Sequence, residues 1–208
     1  MDHATTWKLI HGERAAMADT LATLAPAQWE APSLCGGWSV RATAGHIVLG
    51  AEQTTRHFVS RLAANGFRFN TMMDRDARGT EQVPTAEIVE RLGATVTTTN
   101  HPPAPVMTML GEIVVHSEDI RRPLGVASEP NPDVIVACLE MFSGANFPVG
   151  TKRRIAGLRL RPTDVDWSHG DGAEVSGPGL SLLMAMTGRT AGLDGLAGDG
   201  LETLRGRM

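Results

Sequence analysis

Apolar positions recur at helical spacing through most of the first two thirds of the chain. Over residues 5–24, Trp7, Ile10, Ala15, Met17, Leu21 and Leu24 keep that spacing with no Gly-Pro pair between them, which predicts a helix. Pro32, Gly36 and Gly37 mark the segment from Pro26 to Gly37 as a loop. Ser39 is placed to cap a second helix with the stripe Val40, Ala44, Ile47, Val48, Ala51, Phe58, Val59 and Leu62, ending near Asn65-Gly66. Residues 67–83 are charged and show no clear period. A third helix is predicted from Thr85 to Thr99 behind Pro84, broken by Pro102, Pro103 and Pro105. A fourth runs from Ala104 to Arg122 and stops before Pro123 and Gly125. A shorter fifth opens at Asn131-Pro132 and carries Val134, Ile135, Cys138, Leu139 and Phe142.

After Gly150 the period changes. Leu158, Leu160 and Pro162 alternate with Arg159, Arg161 and Thr163, and Val165 and Trp167 alternate with Asp164, Asp166 and Ser168, which is strand spacing. Asp171-Gly172 reads as a hairpin turn before Ala173-Glu174-Val175. Gly177-Pro178 opens an apolar helix, Leu180 to Thr187, stopped by Gly188, and the stretch Leu193 to Gly200 is Gly-rich. The pattern gives a mainly α chain: a helical bundle over 1–148 and a small α+β unit over 149–208. A unit of ~60 residues buries a limited core, so it is expected to pack on the bundle.

Composition narrows the function. The net charge of −4 and pI near 6.0 argue against a nucleic-acid partner, which calls for a basic face. No apolar run approaches the ~18 residues that span a bilayer. The first residues lack a signal pattern, so a cytoplasmic location is expected. Cys35 and Cys138 cannot make a disulfide framework and are expected to be reduced.

One segment carries candidate chemistry. Glu112 and His116 are four apart, so a helix puts them one turn apart on one face, together with Met109, Ile113 and Ile120. Polar groups on a stripe that should be buried need compensation. A metal ion would satisfy both; a Glu–His hydrogen bond, or a pair at the stripe margin, would do so without one. A third ligand is best sought at His46, on a helix with small neighbours Ala42, Gly45 and Gly50. The helical wheel puts His46 nearly opposite its own helix's apolar stripe. It becomes a ligand only if the second face, Ala42, Leu49 and Gln53, looks into the bundle. His57 shares that face about three turns away. His3, His11, His101 and His169 sit in terminal, early-helix or loop contexts and are expected to be solvated. No histidine is placed beside Cys35 by the sequence, so Cys35 reads as a structural thiol. There is no G-x-S-x-G elbow, no H-E-x-x-H, no Walker A and no C-x-x-C, and Gly195-x-x-Gly198-x-Gly200 is not a dinucleotide fingerprint.

The segment from Leu34 to Ile47 (Leu-Cys-Gly-Gly-Trp-Ser-Val-Arg-Ala-Thr-Ala-Gly-His-Ile) resembles the opening motif of the mycothiol-dependent maleylpyruvate isomerase family, within the DinB-like four-helix-bundle superfamily. Glu112 to Arg122 is similar to that family's second motif, an E-x-x-x-H helix followed by Asp and Arg. Leu158 to Trp167, Gly172 to Gly177, Met186-Thr187-Gly188-Arg189 and Gly198-Asp199-Gly200 resemble its small C-terminal domain. Phe67 to Pro105 carries no such correspondence, so the substrate is not named. The resemblance implies a DinB-like four-helix bundle followed by a small α+β domain. It implies zinc, or another divalent transition metal, held by His46, Glu112 and His116. It also implies a low-molecular-weight thiol such as mycothiol, and an active-site arginine at Arg189.

Two histidines and one carboxylate leave a catalytic zinc an open position. A thiol there would be deprotonated and attack an electrophile, giving S-transfer or cis–trans isomerisation. Asp119 could orient the His116 imidazole, or else pair with Arg121 or Arg122. Arg189 and Arg121 could bind a substrate carboxylate, or else form structural ion pairs. The expected partners are a small electrophile and a thiol, with no nucleic acid and no membrane; a homodimer is compatible. A non-catalytic metal-binding or sensor protein and a water-activating zinc hydrolase are the alternatives.

Overall fold

The computed structural model describes residues 1–147 and 149–208. It separates into two compact units, Met1–Ser128 and Glu129–Met208. In the first unit the helices are α1 (His3–Ala22), α2 (Pro26–Trp29), α3 (Val40–Glu52), α4 (Thr55–Ala64), α5 (Phe69–Gly79), α6 (Thr85–Thr95) and α7 (Met107–Arg121), with a 3-10 turn at Thr80–Gln82. Four of them form the bundle: α1 and α3 each pack against both α6 and α7. Among the described residues no helix is long and apolar enough to cross a membrane.

Local signals explain the bundle helices. Asp2 caps α1, its carboxylate accepting from Thr5 N at 2.7 Å. Thr6, Ile10, Arg14, Met17 and Leu21, spaced by three and four, form the buried stripe of α1. Arg14 is 1% exposed, and its Nη1 donates to Thr95 O at 3.1 Å and Thr98 O at 2.9 Å. A cation on these last carbonyls closes α6 at Thr95, earlier than the predicted Thr99.

Two expectations for this unit change. The single helix expected from Val40 to Asn65 is two. Gln53 turns extended (φ −74°, ψ 117°), and Thr54 caps α4 by accepting from His57 N at 3.3 Å. A hydroxyl that can bond to nearby backbone competes with helix continuation, and two successive β-branched threonines weaken it further. The charged stretch 67–83, read as aperiodic, contains α5. Phe69, Met73 and Asp76 fall on one helical face, and Asp74 and Arg78 pair at 3.0 Å one turn apart.

The second unit contains α8 (Pro132–Ser143), α9 (Thr151–Arg154), β1 (Leu158–Pro162), β2 (Ala173–Gly177), α10 (Gly179–Met186) and α11 (Leu201–Arg205), with a 3-10 turn at Thr190–Leu193. The sequence pattern put the boundary at 148/149, where the period changes. Packing puts the division at 128/129. Helix α8, capped by Asn131, therefore folds with the second unit and lies against α10. Strands β1 and β2 pair in parallel, Leu158 opposite Ala173 and Pro162 opposite Gly177. The hairpin expected at Asp171-Gly172 is not formed. The chain returns earlier, where His169 bridges Leu160 antiparallel, and then reverses again so that β2 runs along the other edge of β1. Val165 and Asp166 form a bend, and Trp167 and Ser168 are irregular rather than strand. Trp167 Nε1 donates to Glu140 Oε2 at 2.9 Å, which holds this connection against α8.

Helix α3 meets the Thr80–Gln82 turn at Gly45, where a Cβ would lie 2.0 Å from Thr80 Oγ1 and 2.3 Å from its Cβ. A threonine Cβ cannot move without its backbone. Gly45→Ala is therefore expected to lower stability by about 1–3 kcal/mol in denaturant unfolding. Gly12, on α1, has no atom within 4 Å of where a Cβ would stand, and Gly12→Ala is expected to raise stability by about 0.5–1 kcal/mol.

Candidate active site

Helix α3 starts at the Ser39 cap, which accepts from Ala42 N at 3.1 Å, and presents His46 from its middle. Helix α7 presents Glu112 and His116 one turn apart. The two helices pack together in the bundle, so the three side chains meet. His46 Nε2 stands 3.5 Å from Glu112 Oε1. The His46 and His116 rings lie edge to face with centroids 4.8 Å apart. Gly50 makes room for the carboxylate, since a Cβ there would sit 2.5 Å from Glu112 Oε1. Helix α3 is buried nearly all round: Ala42 is 0% exposed, His46 9% and Gln53 6%. That is why the wheel argument, which assumed one wet face, misplaces His46.

The surroundings orient these groups. His116 Nδ1 lies 2.9 Å from the Asp119 carboxylate, which is fully buried. With Nδ1–H donating to Asp119, Nε2 keeps its lone pair. The Asp119 carbonyl accepts from Leu34 N at 2.9 Å, tying the loop before α3 to α7. Trp38, at the end of that loop, covers both imidazoles, 5.1 Å from His46 and 6.3 Å from His116. Its Nε1 donates to Asp74 Oδ1 at 2.9 Å.

Burial, with the His116 imidazole beside it, pushes His46 down to about 3, against the opposing pull of Asp119. His46 is thus neutral at physiological pH, the form that ligates a metal. Burial pushes the Glu112 carboxyl up from its ordinary range, opposed by His116 and Arg14.

His46, Glu112 and His116 offer the nitrogen and oxygen donor types that bind a transition metal. Nitrogen and oxygen ligands at zinc distances in a tetrahedral site stand about 3.3 Å apart, and His46 Nε2 and Glu112 Oε1 are at 3.5 Å. Among the described residues, the group whose ligand atoms all stand close together is a different one. Cys35, His116 and Asp119 offer ligand atoms that all lie within 4.8 Å of one another. The reading of Cys35 as remote from any histidine is thereby corrected: the fold of the 32–38 loop brings it beside His116, and no local sequence signal marks this.

The other residues singled out fall elsewhere. Arg121 is 7% exposed, and its guanidinium donates to Ala16 O and Thr20 Oγ1 of α1, each at 2.9 Å. It pins α7 to α1 instead of facing a substrate. Arg122 pairs with Glu118 at 3.0 Å. His57 is exposed in the first turn of α4. Arg189 belongs to the second unit, where its Nη1 donates to Thr187 O at 3.0 Å.

A cavity of about 60 Å³ opens onto His46 and Glu112. Leu49, Gly50 and Gln53 line it from the α3 side, Phe58 and Arg61 from α4, Phe69, Met73 and Asp76 from α5, and Pro102 from the loop before α7. The sequence reading had placed Leu49, Gly50 and Gln53 beside His46, but not the α4 and α5 residues of this wall. The spacing of Phe69, Met73 and Asp76 was the signal that could have found three of them.

Comparison with known proteins agrees with this fold. Residues 10–101 match the family model described as the mycothiol maleylpyruvate isomerase N-terminal domain. No curated protein sequence matches the chain. A solved mycothiol-dependent maleylpyruvate isomerase is similar at a TM-score of 0.66 and 14% identity, over 96% of this chain and 93% of that one. A histidine-to-alanine mutant of a mycothiol-dependent maleylpyruvate isomerase is similar at 0.67 and 12% identity, with the same coverage of 96% and 93%. At these identities the structures speak for the fold, and the sequence match over residues 10–101 makes the helical unit of this chain similar to the mycothiol maleylpyruvate isomerase N-terminal domain.

Proposed function

We propose that the chain is a metal-dependent enzyme that applies a low-molecular-weight thiol, mycothiol or one like it, to a small electrophile. The outcome would be S-transfer, or isomerisation when the thiol is expelled again. One observation carries this reading: His46 meets both Glu112 and His116, His46 and Glu112 line a cavity, and Asp119 stands behind His116. The family match and the names of the similar structures support the choice of a thiol. Arg189 enters this reading only through the sequence resemblance.

Zinc held by His46, Glu112 and His116 would favour the thiolate form of a thiol at its open position. The chain's own residues supply the rest. His46 stays neutral and offers its nitrogen without first losing a proton. Asp119 fixes the His116 ring and its tautomer. Trp38 covers both rings and keeps bulk water from that side. Phe58, Phe69 and Met73 give the cavity an apolar wall on which a small substrate can lie.

The Cys35, His116 and Asp119 grouping favours a second location for the ion, on the other edge of the His116 ring. Elemental analysis of protein purified without an affinity metal separates the two. About one zinc per chain is expected, lost in His46→Ala and Glu112→Ala and kept in Cys35→Ser. Loss in Cys35→Ser with retention in the other two would move the site to the second grouping. No metal in the wild type would end the proposal. Turnover that needs no added thiol would point to the hydrolase instead.

Asp119→Asn is expected to weaken zinc affinity by about 10–100-fold in a competition titration, because the imidazole loses its carboxylate partner. Gly50→Ala should leave the melting temperature close to wild type, since only the mobile end of Glu112 must shift. The same change should weaken zinc by about tenfold or more, because a ligand displaced by about 1 Å no longer meets the ion.

A further inference from the structure

Helix α3 ends on a cavity residue that the metal reading leaves unused. Gln53 follows His46 and Gly50 on one face, about two turns beyond the histidine. It is 6% exposed and lines the cavity that opens onto His46 and Glu112. Among the described residues its carboxamide has no hydrogen-bond partner. Both ends of that carboxamide are open to water, so a group in the cavity can reach them. An amide this deeply buried with nothing to bond to bears the desolvation cost of a donor and an acceptor at once.

We propose that Gln53 is a ligand-binding residue that recognises an amide group of the thiol, its Oε1 accepting from the amide N–H. The proposal rests on the reading that a thiol enters here and meets the metal at His46 and Glu112. Gln53 is then the next polar group along this face of α3. The charges of the loaded site leave nothing over for a charged group. The two positive charges of zinc are met by Glu112 and the thiolate, and Arg61 and Asp76 neutralise each other. The partner of Gln53 is therefore neutral. A carboxylate or an ester would accept from Nε2 and leave Oε1 without a donor, whereas an amide carries both partner types. The cavity of about 60 Å³ has room for on the order of four waters, which suits one such group on a short arm.

Two probes of equal length differ only in N–H against O: N-methyl-3-mercaptopropanamide and methyl 3-mercaptopropanoate. Each is titrated calorimetrically into the zinc-loaded full chain. The amide is expected to bind about tenfold tighter than the ester in the wild type, and within about twofold of it in Gln53→Met, with zinc content unchanged. Gln53→Leu serves should Gln53→Met not fold. Equal binding of the two thiols by the wild type overturns the proposal and leaves ordered water as the partner of the carboxamide. No binding of either overturns it as well, as does a preference that survives in the variant. Cobalt-substituted protein reports separately on the thiol reading. A sulfur-to-cobalt absorption band with no amide preference keeps the thiol on the metal and removes Gln53. An amide preference without the band keeps Gln53 as an amide-binding residue and removes the thiol from the metal.

Discussion

Taking a carboxylate and two imidazoles out of water between packed helices is costly unless something compensates them. His46 is placed that way, and Glu112 and His116 partly so, with side chains 28% and 15% exposed, and neighbouring residues make the placement tolerable. Gly50 leaves space for the Glu112 carboxylate against α3. Asp119 takes the outer nitrogen of His116. Arg14, buried on α1, exerts an opposite charge on Glu112 from beneath while it closes α6.

The same constraint divides the first unit into a rigid part and a more accessible one. Helices α1, α3, α6 and α7 enclose the polar set and bury Ile10, Met17, Val48, Leu92 and Leu110 almost completely. Helix α4 buries no residue at all, and Val59 and Phe67 beside it are exposed. Few buried contacts mean low local stability. A wall built this way suits a site that must admit ligands, because His46, Glu112 and His116 are held by the bundle while α4 is tied to α5 by the Arg61–Asp76 pair and the Phe58–Phe69 contact.

Much of this was legible in the chain. The Ser39 cap, the Asn131-Pro132 opening and stripes at three- and four-residue spacing located the main helices, because each acts within a few residues. What failed depended on distant neighbours. The break at Gln53-Thr54 hid in a stripe that continued past it. Helix α5 hid under the charges of Asp74, Arg75, Asp76 and Arg78, whose partners include Trp38 and Arg61 from other elements. The parallel pairing of β1 and β2 replaced a hairpin because a turn signal marks where a chain bends and not which edge it returns to.

For the site, the sequence by itself determined that Glu112 and His116 share a helix face, since that follows from the period of the helix. Through its motifs it also pointed to His46 as their companion. Only the tertiary structure decided that His46 is buried, that Asp119 serves His116, that Arg121 is spent on α1, and that Cys35, Arg61 and Asp76 stand nearby. Periodicity is a property of one segment. Burial and partnership belong to pairs of segments, and no single stretch of chain encodes the other side of its own contacts.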